Sequence, residues 1–125
     1  MRREFVDAVL AVAALIPAGR VLSYGDIAEL LGSGGARQVG RVMSLHGGAV
    51  AWWRVIRADG TLPNELMDRA VRRYQRELTP LMIREAGSEP KVKMQSARWF
   101  PDDDDFDRIE EIRLKTSLPA DGMEP

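Results

Sequence analysis

One histidine, His46, and no cysteine leave this 125-residue chain with few side chains able to attack, transfer or ligate. Without thiols there is no disulfide, no thiolate metal site and no cysteine nucleophile. A lone imidazole builds no metal centre, and His46 suits helix termination or local hydrogen bonding better. Neither a metal nor a cofactor is expected. What the chain offers instead is planar surface and positive charge. Trp52 and Trp53 stand together at the end of the apolar run Ala49–Trp53, followed by Arg54. An indole gives a broad apolar wall, although a tryptophan in such a run ordinarily belongs to the core. Arg69, Arg72, Arg73 and Arg76 recur at spacings of three and four, as on a solvated helical face with Glu65, Asp68 and Glu77 as partners. No base–nucleophile pair stands out.

Charge is distributed unevenly. Eighteen basic and nineteen acidic residues sum to -1. Residues 1–100 carry a surplus of five positive charges, and residues 101–125 a surplus of six negative ones. A basic body can attract phosphate, whereas a block such as Asp102–Asp105 ordinarily marks a solvated, poorly ordered segment. The expected organisation is therefore one domain over residues 1–100 and an acidic, flexible tail over 101–125. With 45% hydrophobic and 30% charged residues the chain has the composition of a soluble globular protein. The apolar stretch from Phe5 to Ile16 is interrupted by Asp7 and is far short of the roughly 20 residues that span a bilayer. No signal peptide is read there, so a cytoplasmic protein is expected, nucleoid-associated if bacterial, and a monomer.

Apolar spacing predicts a helix from Arg3 to Ile16, stopped by Pro17-Ala18-Gly19. Val21–Ser23 is an extended link. A short helix follows from Tyr24 or Gly25 to Leu31, then the turn Gly32-Ser33-Gly34-Gly35, then a helix from Ala36 to Leu45. Two short helices around a glycine turn outline a helix-turn-helix. Residues 49–62 are expected as a small β-hairpin closed by Asp59-Gly60. A last long helix is expected from Asn64 to Ala86, kinked by Pro80 near Leu78, with Leu66, Met67, Ala70, Tyr74, Leu78, Leu81 and Met82 as core. Val92–Trp99 is expected as a strand or ordered arm.

Three ordered segments carry a resemblance. Ile16-Pro17-Ala18-Gly19-Arg20-Val21-Leu22-Ser23-Tyr24-Gly25-Asp26-Ile27-Ala28 resembles the IPxGxVxTYGxIA segment of the DNA-binding domain of O6-alkylguanine-DNA alkyltransferases. Ala36-Arg37-Gln38-Val39-Gly40-Arg41-Val42-Met43 is similar to that family's recognition helix, ARxVGxxM. Ala51-Trp52-Trp53-Arg54-Val55-Ile56 stands where those enzymes carry PCHRVI. The cysteine position holds Trp52, the histidine position Trp53 and the proline position Ala51. Alkyl transfer to a thiolate is chemically excluded. The chain is closer to the alkyltransferase-like proteins, whose motif reads PWHR and which bind O6-alkylguanine without repairing it.

The resemblance implies a mainly α domain of winged-helix or helix-turn-helix type. It implies double-stranded DNA containing O6-alkylguanine as partner, minor-groove docking, nucleotide flipping and hand-over to nucleotide excision repair proteins. Arg37 would enter the vacated space in the stack, where a planar guanidinium can stack on bases and hydrogen-bond. Tyr24 would press on the phosphate beside the target. Ser33, Gly35 and Ala36 would lie against the backbone at the helix start, Gln38 would reach sugars or base edges, Arg41 a phosphate, and Gly40 would let the helix approach closely. The lesion pocket is expected from Trp52, Tyr24, Val50, Ala51, Trp53 and Arg54, with Arg54 bracing the motif through backbone carbonyls. Either Glu65 or Arg69 would cover the flipped base. Two other readings remain open: a regulator using the same scaffold without lesion specificity, and a hydrolase or lyase built around His46 or an acid.

Overall fold

The computed structural model describes residues 1–82 and 90–118. Its elements run α1 (Arg3–Leu15), β1 (Leu22–Ser23), α2 (Tyr24–Leu31), α3 (Ala36–His46), β2 (Val55–Ile56), α4 (Asn64–Glu77), β3 (Leu81–Met82), β4 (Lys91–Val92), α5 (Met94–Ala97) and α6 (Asp103–Lys115). Two single 3₁₀ turns, Gly47–Ala49 and Trp52–Arg54, link α3 to β2. Among the described residues no helix is long and apolar enough to cross a membrane.

The first three helices follow the sequence pattern closely. α1 buries Phe5, Ala8, Val9, Val12 and Ala13 along one stripe. α2 starts at a reciprocal cap: the Asp26 N–H donates to Ser23 Oγ at 3.0 Å, and the Ser23 N–H donates to Asp26 Oδ2 at 2.9 Å. It stops at Gly32, whose φ of +64° is left-handed. Gly34 is also left-handed, and a Cβ there would fall 2.8 Å from the Phe5 ring. The turn therefore packs directly on α1 and fixes the angle between α2 and α3. Val39 and Val42 of α3 join the same core.

The hairpin expected over residues 49–62 does not form as such. The Asp59-Gly60 turn is present, with Gly60 at φ +87° and the Arg57 N–H donating to Thr61 O at 3.0 Å. Yet β2 pairs parallel with β1, Leu22 opposite Val55 and Ser23 opposite Ile56. Val55 and Ile56 are both buried, so β2 is covered on both faces, the situation of a parallel strand rather than a hairpin arm. Around this ladder two apolar clusters meet. One joins α1, α2, α3, Trp99 and Ile109; the other joins Val21, Ile56, Leu62, Met67, Ala70, Tyr74, Val92 and Ala97.

α4 ends at Glu77, short of the expected Ala86. Thr79 precedes Pro80, and a residue before proline is pushed out of the helical region. Leu78 takes a left-handed φ of +61° and is exposed, and Leu81 and Met82 form β3 against β4; Leu81 packs on the second core, from a strand rather than from the expected helix, and Met82 is exposed. Residues 83–86 of the expected helix lie outside the described residues. The ordered arm over Val92–Trp99 begins in β4, turns through α5 and bridges Arg98 to Val21.

The largest departure is at the C-terminal end: the segment expected as a flexible tail, with no more than a transient helix over Phe106–Leu114, contains a 13-residue helix. The aspartate run is its start. The Asp105 N–H donates to Asp102 Oδ1 at 2.8 Å and the Asp102 N–H to Asp105 Oδ2 at 3.0 Å. Asp103–Asp105 fill the first turn and Arg113 and Lys115 the last, which complements the helix dipole. Ile109 is buried in the first core, with Ile112 and Leu118 packed against it. Residues 119–125 lie outside the described residues.

Candidate nucleic-acid interface

The motif after α3 places its side chains by the geometry of a 3₁₀ turn. With three residues per turn, consecutive side chains diverge by about 120°. Trp52, Trp53 and Arg54 therefore face three directions, and the rings of Trp52 and Trp53 meet edge to face, 88° apart with centroids at 5.6 Å. Trp52 turns into a cavity of about 450 Å³, large enough for a small planar ligand. Tyr24 and Gly40 face it from the helix-turn-helix, joined by Met43, Ser44, Gly47 and Gly48. Val55, Arg57 and Leu62 line it from β2 and the turn, and Pro63, Leu66 and Arg69 from the start of α4.

Trp53 and Arg54, expected in the same pocket, do not line it. The Trp53 Nε1–H donates to Glu77 Oε1 at 3.1 Å, and the Arg73 guanidinium lies 4.5 Å from the Trp53 ring centroid. Arg54 forks onto Glu77, with Nε to Oε2 at 3.1 Å and Nη2 to Oε1, while Nη1 donates to Ile16 O at 2.8 Å. Bracing through a backbone carbonyl was the expectation for Arg54; the carboxylate partner on α4 was not foreseen. Burial works to raise the Glu77 carboxyl, but the bonds from Arg54, the Gly19 N–H and Trp53 outweigh it and hold it below the usual range. Val50 packs on the first core and Ala51 serves the turn, its carbonyl accepting from the Arg54 N–H at 3.0 Å. Neither lines the cavity.

On α3, Ala36, Arg37, Gln38 and Arg41 are exposed and Ser33 and Gly35 half-buried. Gln38 is folded back: its Oε1 accepts from the Gly35 N–H at 3.0 Å and closes the N-terminus of α3. That occupies the carbonyl expected to reach sugars or base edges. Gly40 serves a different contact from the expected one, since a Cβ there would meet Tyr24 Cδ2 at 3.3 Å. Its bareness admits the Tyr24 ring between α2 and α3. Burial raises the Tyr24 phenol above its ordinary 10.0, with Arg57 pulling it the other way, so the hydroxyl remains a hydrogen-bond donor at neutral pH. His46 ends α3, exposed.

Of the two residues considered as a cover after Leu62, Arg69 reaches the cavity and stacks 5.3 Å from the Trp52 ring centroid, whereas Glu65 is exposed and does not line it. Arg69 and Arg73 thus lie over indoles. Glu77 serves Arg54, and no pair of the α4 arginines with Glu65 or Asp68 is present among the described residues. Met43 is the last residue of the recognition-helix motif, whereas Arg57 and Ser44 had no signal in the sequence beyond their proximity to the motifs. Among the described residues there is no cluster of His, Cys, Asp or Glu able to hold a metal ion.

Comparison with known proteins places these elements. The family model described as "6-O-methylguanine DNA methyltransferase, DNA binding domain" matches residues 4–79, from α1 to the residues just past α4. A DNA base-flipping protein of Vibrio parahaemolyticus serotype O3:K6 (strain AQ3810) is 30% identical over 101 residues, covering 78% of this chain and 98% of that protein. A DNA base-flipping protein of Escherichia coli (strain K12) is 35% identical over 99 residues, covering 77% of this chain and 74% of that protein. The crystal structure of S. pombe Atl1 in complex with damaged DNA containing O6-carboxymethylguanine superposes with a TM-score of 0.68 at 33% identity. It covers 81% of this chain and 100% of that one.

Proposed function

Because the chain belongs to the family of the 6-O-methylguanine DNA methyltransferase DNA-binding domain, we propose that it recognises O6-alkylguanine in double-stranded DNA without repairing it. One observation carries this: Tyr24, Gly40 and Trp52 enclose a cavity beside the exposed residues of α3, in a chain with no cysteine to accept an alkyl group. Relatives named as DNA base-flipping proteins and a complex of S. pombe Atl1 with damaged DNA support it.

α3 docks in the minor groove, where readout is degenerate and suits surveillance that ignores sequence. Rotating a nucleotide out of the stack costs a few kcal/mol. Arg37, exposed in the first turn of α3, offsets that cost by filling the gap and bonding the orphaned cytosine. Tyr24 donates its phenolic hydrogen to the phosphate beside the target, and Arg41 holds a second phosphate. The flipped base enters against Trp52, under Arg69. An indole wall forms no bond to the alkyl group and so tolerates substituents of different sizes. The complex acts as a monomer in the cytoplasm and marks the lesion for nucleotide excision repair.

Paired duplexes, identical except for guanine or O6-methylguanine at one position, test the proposal. The wild-type chain is expected to prefer the alkylated duplex, and Arg37→Ala and Trp52→Ala to lose most of that preference. Equal binding of both duplexes by the wild type would leave only a helix-turn-helix DNA binder; conversion of the damaged base would mean an enzyme.

A further inference from the structure

We infer that the cavity favours O6-alkylguanines whose substituent ends in a negative charge, a deepening that rests on the lesion-binding proposal above. Two guanidinium groups, Arg57 and Arg69, line the cavity, and no acidic side chain does among the described residues. Neither arginine has a carboxylate within ion-pair distance there, whereas Arg54 and Arg98 are both paired. The nearest acid to Arg57 on its own turn, Asp59, has Oδ1 held by Thr61 through the backbone N–H at 3.0 Å and the hydroxyl at 2.6 Å, and feels Arg57 and Lys91 only from beyond ion-pair distance. Arg57 also follows directly on the buried strand β2, which anchors its backbone at the cavity wall.

The two ends of a short acidic substituent match this wall. Its methylene group packs on the Trp52 ring, whose face Arg69 already overlaps. A terminal carboxylate then meets the guanidinium edge of Arg57, the planar fork that carboxylates pair with in two parallel hydrogen bonds. A neutral alkyl group of the same shape gains the apolar contact but no partner at Arg57, whose exposed guanidinium stays with water. Ser44 adds a hydroxyl to the same wall. Arg57 therefore acts as the residue that sorts substituents by charge, and Trp52 as the one that accepts them by shape.

The test compares O6-carboxymethylguanine with O6-isobutylguanine, a neutral group of equal size and branching, in otherwise identical duplexes alongside guanine. The expected preference of the wild type for the carboxymethyl lesion is about tenfold, the scale of one charge-assisted hydrogen bond. Arg57→Gln, at an exposed position, is expected to reduce that ratio to about twofold by removing the charge that makes the bond strong. A duplex carrying 5-carboxycytosine near the target puts the same charge outside the cavity and should gain nothing. Equal affinity for the two lesions would overturn the inference. So would a gain from 5-carboxycytosine, or an Arg57→Gln loss shared equally by all three duplexes, which would make Arg57 a phosphate contact. If neither lesion is preferred to guanine, the lesion-binding proposal itself falls, and the charge preference with it.

Discussion

Glu77 gathers three donors from two parts of the chain onto one carboxylate: Arg54 and Trp53 from the motif, and the Gly19 N–H from the turn after α1, at 3.1 Å. Its side chain is 12% exposed and that of Arg54 18%, so the pair is largely shielded. Removing one partner of such a pair typically costs about 3 kcal/mol, because the other charge stays buried unpaired. Glu77→Gln is expected to lower stability by about that much in urea unfolding. The pH dependence has a definite sign. The folded carboxyl titrates below its ordinary 4.5, so its contribution is present above about pH 4.5 and is lost as pH falls through the folded value. The wild type should lose stability over that acid window more steeply than the variant. Trp52 as a wall and Arg54 as a brace were legible because Arg54-Val55-Ile56 and the spacing from α3 keep the register of the motif. Glu77 was not, since its meeting with Arg54 spans 23 residues and no local spacing encodes it. Trp53, expected in the pocket, packs beside it on the second core, because adjacency in sequence says nothing of the divergence within a 3₁₀ turn.

At the level of elements, α1, α2 and α3 were readable because each announces itself twice, by apolar spacing and by its stop or cap. α6 announces itself in conflicting terms. Four successive aspartates resemble a solvated tract, yet the first of them caps a helix and the next three lie where the dipole favours negative charge. The apolar positions behind them, Ile109 and Ile112, are few and are satisfied only by docking on α1 and α2. Ile109→Ala is expected to cost about 2–5 kcal/mol, the range for emptying a buried aliphatic site. The measurement is the urea midpoint of the full chain. A change near zero would mean that α6 contributes no core, as a flexible tail would. The parallel pairing of β1 with β2 was equally hidden, because two-residue strands carry too few side chains to show a period.

Across the whole molecule, the formal charge of -1 is the sum of a basic body and an acidic end. The acidic end is not a free tether, since α6 is fixed on α1 and α2. Its charge therefore acts on approaching DNA as a standing field of fixed origin, damped over about 8–10 Å at physiological salt. Replacing the exposed Asp103, Asp104 and Asp107 by asparagine leaves Ile109 in place and should strengthen binding of undamaged duplex about twofold at low salt. The gain should fade as salt rises. A salt-independent gain would point to contact with α6 rather than a field.

The indole of Trp53 also limits what a thiol at position 52 could do. A single Trp52→Cys exchange would supply a thiol but no base to take its proton, because the adjoining Trp53 is an indole, which only donates and here donates to Glu77. It would also strip Arg69 of the ring it lies over. The substituted pocket would have neither its tryptophan wall nor an activated nucleophile, so Trp52 and Trp53 together commit this site to binding.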